Sequence, residues 1–113
     1  MDSYKVEISP HALKQLDDFI LYVKDILKSN QAASNITKDA LETIQVLANV
    51  AGSLPLLQHP ELNKLGYRKI KFRHLNYLMI YKIVRSTARI EAIYHQMQDY
   101  ENIFVELIED SET

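Results

Sequence analysis

Three cations stand at alternate positions in one short stretch of the sequence. Lys69, Lys71 and Arg73 alternate with the apolar residues Ile70 and Phe72. At the two-residue period of a strand, this pattern predicts that the three cations share one face of a sheet. Such a row can bind the phosphates of a nucleic acid or the carboxylates of an acidic peptide. It can equally be the solvated face of a strand, and the pattern leaves both interpretations open.

Charge is unevenly distributed around this row. Between Tyr67 and Ile90 there are seven basic residues and no acidic one, whereas the rest of the chain has six basic and fifteen acidic residues. The net charge of -2 therefore combines a block of +7 with a remainder of -9. This asymmetry indicates that one surface of the protein is specialised.

His95 is a further candidate for chemistry, because histidine can serve as a general acid or base near neutral pH. It ends an apolar run, where a structural histidine that hydrogen-bonds a turn is the commoner case. Asp99, four residues later, is interpreted as a helix cap. The remaining histidines lie far apart in the sequence, at His11, His59 and His74. We therefore predict no metal site, and no nucleotide-binding, cofactor or nucleophile motif is recognisable.

Three apolar runs predict a meander of antiparallel strands. The first contains the row of cations. The second, YLMIYKIV, starts at Tyr77, is apolar at nearly every residue and suits a central strand covered on both faces. The third is ARIEAIYH, which ends at His95. Connections of about three residues are of hairpin length.

The first half of the chain predicts a strand at residues 4–8 and two helices. Ser9 and Pro10 form a helix-start signal, and the second helix is expected to end near Ala51, with Gly52 as the stop. The short break at Ser29 makes the two helices antiparallel neighbours. The apolar stripe of the first helix consists of Leu13, Leu16, Phe19, Ile20, Val23, Ile26 and Leu27.

The resulting fold is α+β, with the order β-αα-βββ-α and the helical hairpin on one face of a small antiparallel sheet. Residues 54–65 are predicted to be an ordered loop, and a last helix follows Asp99. Phe19, Ile44 and Ile80 are expected to be buried.

Length and composition limit the class of protein to which the chain can belong. A chain of 113 residues with 47% hydrophobic and 25% charged residues is expected to be one globular domain over residues 1–113. Cysteine is absent, which excludes disulfides and fits a reducing compartment. No apolar run is long enough to span a bilayer, and the start of the chain lacks a signal-peptide pattern. We expect a cytoplasmic location.

This layout resembles the RelE/ParE superfamily, the toxins of bacterial type II toxin–antitoxin systems. The resemblance covers about residues 4–107 and depends on YKVEISPHALKQLDDFILYV, NYLMIYKI and IYHQMQDYENIF in this order. It implies a small sheet with a helical hairpin, and a cognate antitoxin that wraps over the toxin.

The superfamily has two branches with different targets, and this sequence can be compared with the pattern of each. RelE-like members cut messenger RNA on the ribosome with lysines, arginines and a tyrosine. Lys69 and Lys71 match the lysine pair, but Leu78 stands where an arginine is expected. The region of the late arginines holds Gln96 and Gln98 instead. No tyrosine follows at the expected spacing.

ParE-like members inhibit DNA gyrase without known hydrolysis, and their pattern fits better. It includes a Tyr-Leu-x-x-Tyr third strand, Tyr77 to Tyr81, and a closing His-x-x-x-Asp, His95 to Asp99. Gln96 and Gln98 depart from this pattern too, since arginines are usual there.

The resemblance therefore predicts a ParE-like, growth-inhibiting toxin that binds a cognate antitoxin and DNA gyrase and is not an enzyme. The residues expected to bind partner or target are Arg68, Lys69, Lys71, Arg73, Tyr77 and His95. The alternative is an endoribonuclease that uses Lys69, Lys71, Arg73 and His95, and a third possibility is an inactive relative that only binds its antitoxin. No cofactor or metal is expected in any of these cases.

Overall fold

The runs rich in Ile, Val and Tyr form a four-stranded sheet in the computed structural model, which describes residues 3–111. The strands are β1 (Lys5–Ile8), β2 (Tyr67–Lys71), β3 (Tyr77–Val84) and β4 (Thr87–His95), in the spatial order β1-β4-β3-β2. β2, β3 and β4 form the predicted antiparallel meander, and β1 joins its edge parallel to β4. β3 is thus an inner strand, as its nearly continuous apolar sequence predicts.

The two predicted helices form a hairpin between β1 and β2. They are α1 (Pro10–Leu21), which continues into a π-helical turn at Tyr22–Ile26, and α2 (Asn30–Val50). The hydroxyl oxygens of Ser9 and Ser29 each accept a hydrogen bond from a first-turn amide, at 3.1 Å. These two caps confirm the predicted starts of both helices.

The predicted apolar stripe of the first helix is wrong at three positions. Leu13, Ile26 and Leu27 are 46%, 64% and 57% exposed. In the π-helical turn each backbone hydrogen bond spans an extra residue, which rotates Ile26 and Leu27 away from the stripe of a regular helix, although Val23 stays buried. The turn does not account for Leu13, which precedes it.

The end of α2 and the segment after it also differ from expectation. Gly52 lies in a short 3-10 turn, Ala51–Ser53, and does not adopt the left-handed conformation of a helix stop. A side chain at this position would collide with the hydroxyl of Tyr4, so close packing accounts for this glycine.

The segment predicted to be an ordered loop contains a further helix, α3 (Pro60–Leu65). His59 caps α3 with its ring nitrogen, and Gly66, at φ 88°, ends it in the left-handed conformation. Pro60 at the first helical position and Gly66 after the last are start and stop signals, but they bracket only six residues.

Each face of the sheet covers a separate apolar core. The first core lies between the hairpin and one face, and it includes Leu47, Met79 and Tyr81. The second core lies between the other face and the helices α3 and α4 (Tyr100–Ser111), and it includes Ile80 and Phe104. Ile80 is fully buried as expected, whereas Phe19 and Ile44 are partly buried at the margin of the first core. Within residues 3–111, no helix is long and apolar enough to cross a membrane.

Candidate functional site

Lys69 and Lys71 project from β2 toward the side of the sheet that carries α4. Across the ladder they pair with Ile80 and Leu78, both of which belong to the second core. The Nζ atom of Lys69 donates a hydrogen bond of 2.5 Å to the hydroxyl of Tyr100, at the start of α4. Lys69 is therefore half-buried and held in place, while Lys71 is exposed at the end of the strand.

Arg68 lies on the opposite face of the same strand. It pairs across the ladder with Tyr81 of the first core, and its guanidinium donates a hydrogen bond to the backbone carbonyl of Leu54. Leu56 also forms a bridge with Arg68. Arg68 thus fixes the segment after α2 against the edge strand β2.

Arg73 is exposed and lies two residues beyond the end of β2, in the turn to β3. The backbone of this turn is held by α2. The amide of Arg73 donates to the hydroxyl of Thr43 at 3.3 Å, and the amide of Leu75 donates to the carboxylate of Asp39 at 2.7 Å. The amide of His74 also donates to Asp39, at 3.1 Å. These bonds fix the position at which Arg73 is presented.

Sequence reasoning did not identify the role of Asp39, which is only 3% exposed. The sequence did contain one signal of this role. Asp39 stands three residues after Ile36, on the stripe of α2 that faces the core. A carboxylate at a buried position needs hydrogen-bond donors. Here backbone amides 35 and 36 residues away supply them.

Tyr77 and His95 face the hairpin, on the side of the sheet opposite Lys69. They are direct partners across β3 and β4, and their ring centres are 5.3 Å apart at 81°. Tyr77 also packs against Phe19 and Phe72, at 4.8 and 5.5 Å between ring centres. Burial in this group raises the pKa of the Tyr77 hydroxyl.

His95 hydrogen-bonds the turn that follows it, as predicted for a structural histidine. Its Nδ1 atom accepts from the amide of Met97 at 3.1 Å, and its own amide donates to the side-chain oxygen of Gln98 at 2.8 Å. The backbone amide of Gln96 donates to the carbonyl of Asn76 at 2.8 Å. Both glutamines therefore take part in the turn where the family pattern has arginines.

The candidate residues thus occupy two faces of the sheet. β3 lies between β2 and β4, so residues on β2 and on β4 are separated by roughly 10 Å of sheet. Lys69 and His95 also project to opposite sides. Leu78, the position of an expected arginine, is 1% exposed and packed in the second core. The set proposed for RNA cleavage is therefore not assembled at one point.

The sequence did not predict that Tyr100 lies beside the lysines. Its hydroxyl contacts Lys69 although no tyrosine stands at the expected spacing for an RNA-cutting enzyme. The pair borders an open pocket of about 270 Å³ that Pro55, Gln58 and Glu101 also line. An ammonium and a phenol side by side can bind a carboxylate or a phosphate.

The sequence predicted no metal site, because His11, His59 and His74 lie on separate elements. Among the residues that the structure describes, the side chains of Asp39, Glu42 and His74 form a group that could hold a metal ion. His11 and His59 are not part of this group.

Among the solved structures with similar folds are a chain of a ParDE toxin–antitoxin system and the toxin RelE. A chain of the chromosomal ParDE toxin–antitoxin system of P. aeruginosa matches with a TM-score of 0.68 and 17% identity, over 82% of this chain and 96% of that chain. A double mutant of the E. coli toxin RelE in the free state matches with a TM-score of 0.53 and 14% identity, over 96% of this chain and 97% of that chain. At these identities the likeness shows the fold, which is that of ParE- and RelE-type toxins.

The sequence itself gives the family. Residues 6–100 match the model of the ParE toxin of type II toxin–antitoxin systems, parDE. A search of curated proteins gave no match. The chain belongs to the ParE toxin family of type II toxin–antitoxin systems, which confirms the resemblance. A toxin of this type has a cognate antitoxin as its partner.

Proposed function

We propose that this toxin arrests growth in the bacterial cytoplasm by binding DNA gyrase, and that its cognate antitoxin prevents this contact. The family and the fold support a toxin of the ParE type. The target is inferred from the behaviour that the family resemblance implies. The proposal also holds that the toxin acts by contact and not by catalysis.

The separation of the candidate catalytic residues is the observation that carries this proposal. Lys69 and Lys71 lie on the α4 side of the sheet, whereas His95 faces the hairpin and binds a turn. RNA cleavage needs a base, an acid and cations around one phosphate. The separation of His95 from the two lysines supports the proposal that these residues act in binding and not in chemistry.

The exposed cations Lys71 and Arg73 and the half-buried Lys69 supply the surface that we assign to a partner with carboxylates. Electrostatic complementarity of this kind steers association and selects partners. Tyr77 and His95 lie at the same end of the sheet, near the turn that carries Arg73. We assign these two rings to the support of the same surface, and Arg68, farther along β2 opposite Tyr81, to holding the segment after α2 in place.

One observation favours the alternative, a messenger RNA endoribonuclease. The hydroxyl of Tyr100 and the ammonium of Lys69 form a pair that could stabilise charge on a phosphate or move a proton. Against this reading, Leu78 is buried and Gln96 and Gln98 belong to a turn. An inactive relative that only binds its antitoxin is the third possibility.

Induced expression in a bacterial host, with three parallel readouts, separates these functions. We expect growth arrest with loss of plasmid supercoiling and a DNA-damage response, while transcripts stay intact. Cleaved transcripts with normal supercoiling would establish the endoribonuclease. Normal growth at a verified level of folded protein would establish the inactive relative.

A matched pair of variants locates the surface in the same assay. Lys71→Ala with Arg73→Ala removes two exposed cations of the basic block, and we expect weaker growth arrest. Lys24→Ala with Lys64→Ala removes two exposed lysines elsewhere and should leave growth arrest unchanged. Equal effects of the two double variants would contradict the assignment of this surface.

A further inference from the structure

A second group of polar side chains lies where α2 meets the turn between β2 and β3. It contains Asp39 and Glu42 from one turn of α2 and His74 from the facing turn. The Nε2 atom of His74 is 3.2 Å from a carboxylate oxygen of Glu42. One ligating atom from each of the three residues lies within 4.8 Å of the other two.

Asp39 is the fixed member of this group. Its carboxylate is buried and accepts hydrogen bonds from the amides of His74 and Leu75. A carboxylate has about four lone-pair positions, so these bonds leave acceptor capacity on both oxygens. Hydrogen bonds of this kind orient a carboxylate ligand and hold it ready for a metal ion.

We propose that Asp39, Glu42 and His74 bind a Zn²⁺ ion, which fastens the β2–β3 turn to α2. The turn carries Arg73, so the ion would hold this exposed cation in a fixed position relative to the helical hairpin. This metal site lies apart from the Lys69–Tyr100 pair. The proposal does not depend on DNA gyrase being the target.

The ligand set favours zinc over other common ions. Zinc accepts imidazole nitrogen and carboxylate oxygen together, whereas Mg²⁺ and Ca²⁺ use oxygen ligands. Ligand distances of about 2.0–2.2 Å in a tetrahedral site place the ligand atoms roughly 3.4 Å apart. The separation of 3.2 Å between His74 and Glu42 is already close to this value. Their side chains are 67% and 38% exposed, so both can rotate toward Asp39.

The surroundings of the group leave room for the ion and for a fourth ligand. The three residues line an open pocket of about 300 Å³, from which water can complete a tetrahedral shell. Lys38 lines the same pocket and contributes one positive charge against the two carboxylates. The local charge before binding is therefore negative, which favours a divalent cation.

Calorimetric titration of the untagged chain with ZnCl₂, after treatment with a chelator, tests the proposal. We expect saturable binding of one ion per chain and a rise in melting temperature by mass action. Mg²⁺ at the same concentrations should not change the melting temperature. Titration with Co²⁺ should give the visible absorption bands of a four-coordinate ion.

Substitutions of the proposed ligands test whether the Zn²⁺ ion binds at these residues. His74→Ala and Glu42→Gln should each weaken Zn²⁺ binding by at least about tenfold, by analogy with the cost of disturbing a metal site. His11→Ala removes an exposed histidine of α1 and should bind as the wild type does. Thermal unfolding in chelator checks that all three variants are folded. Absence of saturable binding, or equal affinity in the wild type, His74→Ala and Glu42→Gln, would overturn the proposal.

Discussion

The ammonium nitrogen of Lys69 lies 2.5 Å from the hydroxyl oxygen of Tyr100 and 5.0 Å from the centre of its ring. This contact joins the edge strand β2 to the first residue of α4. Because the hydroxyl accepts a hydrogen bond from Lys69, its own proton remains available for a carboxylate or a phosphate. The pair therefore presents two donors from a fixed position, which suits the binding of an anionic group.

Loss of two lysines on this face should weaken the antitoxin complex. We predict that Lys69→Ala with Lys71→Ala raises the dissociation constant for the cognate antitoxin, and that the difference from wild type shrinks at high salt, where exposed charges are screened. Calorimetry at two salt concentrations measures both effects. Lys24→Ala with Lys64→Ala is the matched control. An unchanged dissociation constant at low salt would remove these lysines from the interface.

Substitution of His95 should have little effect on toxicity. In the structure its ring packs against Tyr77 and accepts a hydrogen bond from the amide of Met97. We predict that His95→Ala loses roughly 1 kcal/mol of stability from that hydrogen bond but still arrests growth at nearly the wild-type level. A growth assay with a parallel unfolding measurement decides the point. A folded variant without toxicity would show that the imidazole acts in the function.

Regular spacing in the sequence predicted the main elements because each depends on neighbouring residues. The alternation around Ile70 and the serine before Pro10 each specify structure within a few positions. Contacts between distant segments were not predictable in this way. The Lys69–Tyr100 pair spans 31 residues, and its formation depends on how α4 packs against β2. The exposure of Ile26 likewise follows from the π-helical turn, for which the sequence has no clear signal.

Removal of the Asp39 carboxylate should destabilise the fold. Asp39→Ala leaves the amides of His74 and Leu75 without their acceptor in a partly buried turn. We predict a loss of about 1–3 kcal/mol in the free energy of unfolding, measured by urea denaturation in the presence of chelator. Asp18→Ala breaks an exposed ion pair with Lys14 and should cost less than about 0.5 kcal/mol. Similar losses in both variants would contradict the role given to Asp39.

Stability should fall at alkaline pH because of Tyr81. Burial raises the pKa of its hydroxyl from 10.0 to about 12, partly offset by the charge of Arg68. The folded state therefore keeps its proton more tightly than the unfolded state does. This contribution is complete below pH 10.0 and is lost as the pH rises toward about 12.

Tyr81→Phe tests this assignment. The variant loses the 2.7 Å hydrogen bond to the carbonyl of Ala51, so it should be less stable near neutral pH by about 1 kcal/mol. Its stability should then decrease less steeply than that of the wild type above pH 10.0. Urea denaturation across this pH range measures both slopes. Parallel curves for the two proteins would assign the alkaline loss to other groups, such as Tyr77 and Tyr94, whose pKa values burial also raises.

The most direct test of action by contact is to present both candidate targets to the purified toxin. Ribosomes with bound messenger RNA and purified DNA gyrase with relaxed plasmid are incubated separately with equal amounts of protein. We predict intact messenger RNA and a dose-dependent loss of supercoiling, which the cognate antitoxin reverses. Cleavage of ribosome-bound messenger RNA that disappears in Lys69→Ala and in Tyr100→Phe, with full gyrase activity, would contradict this prediction.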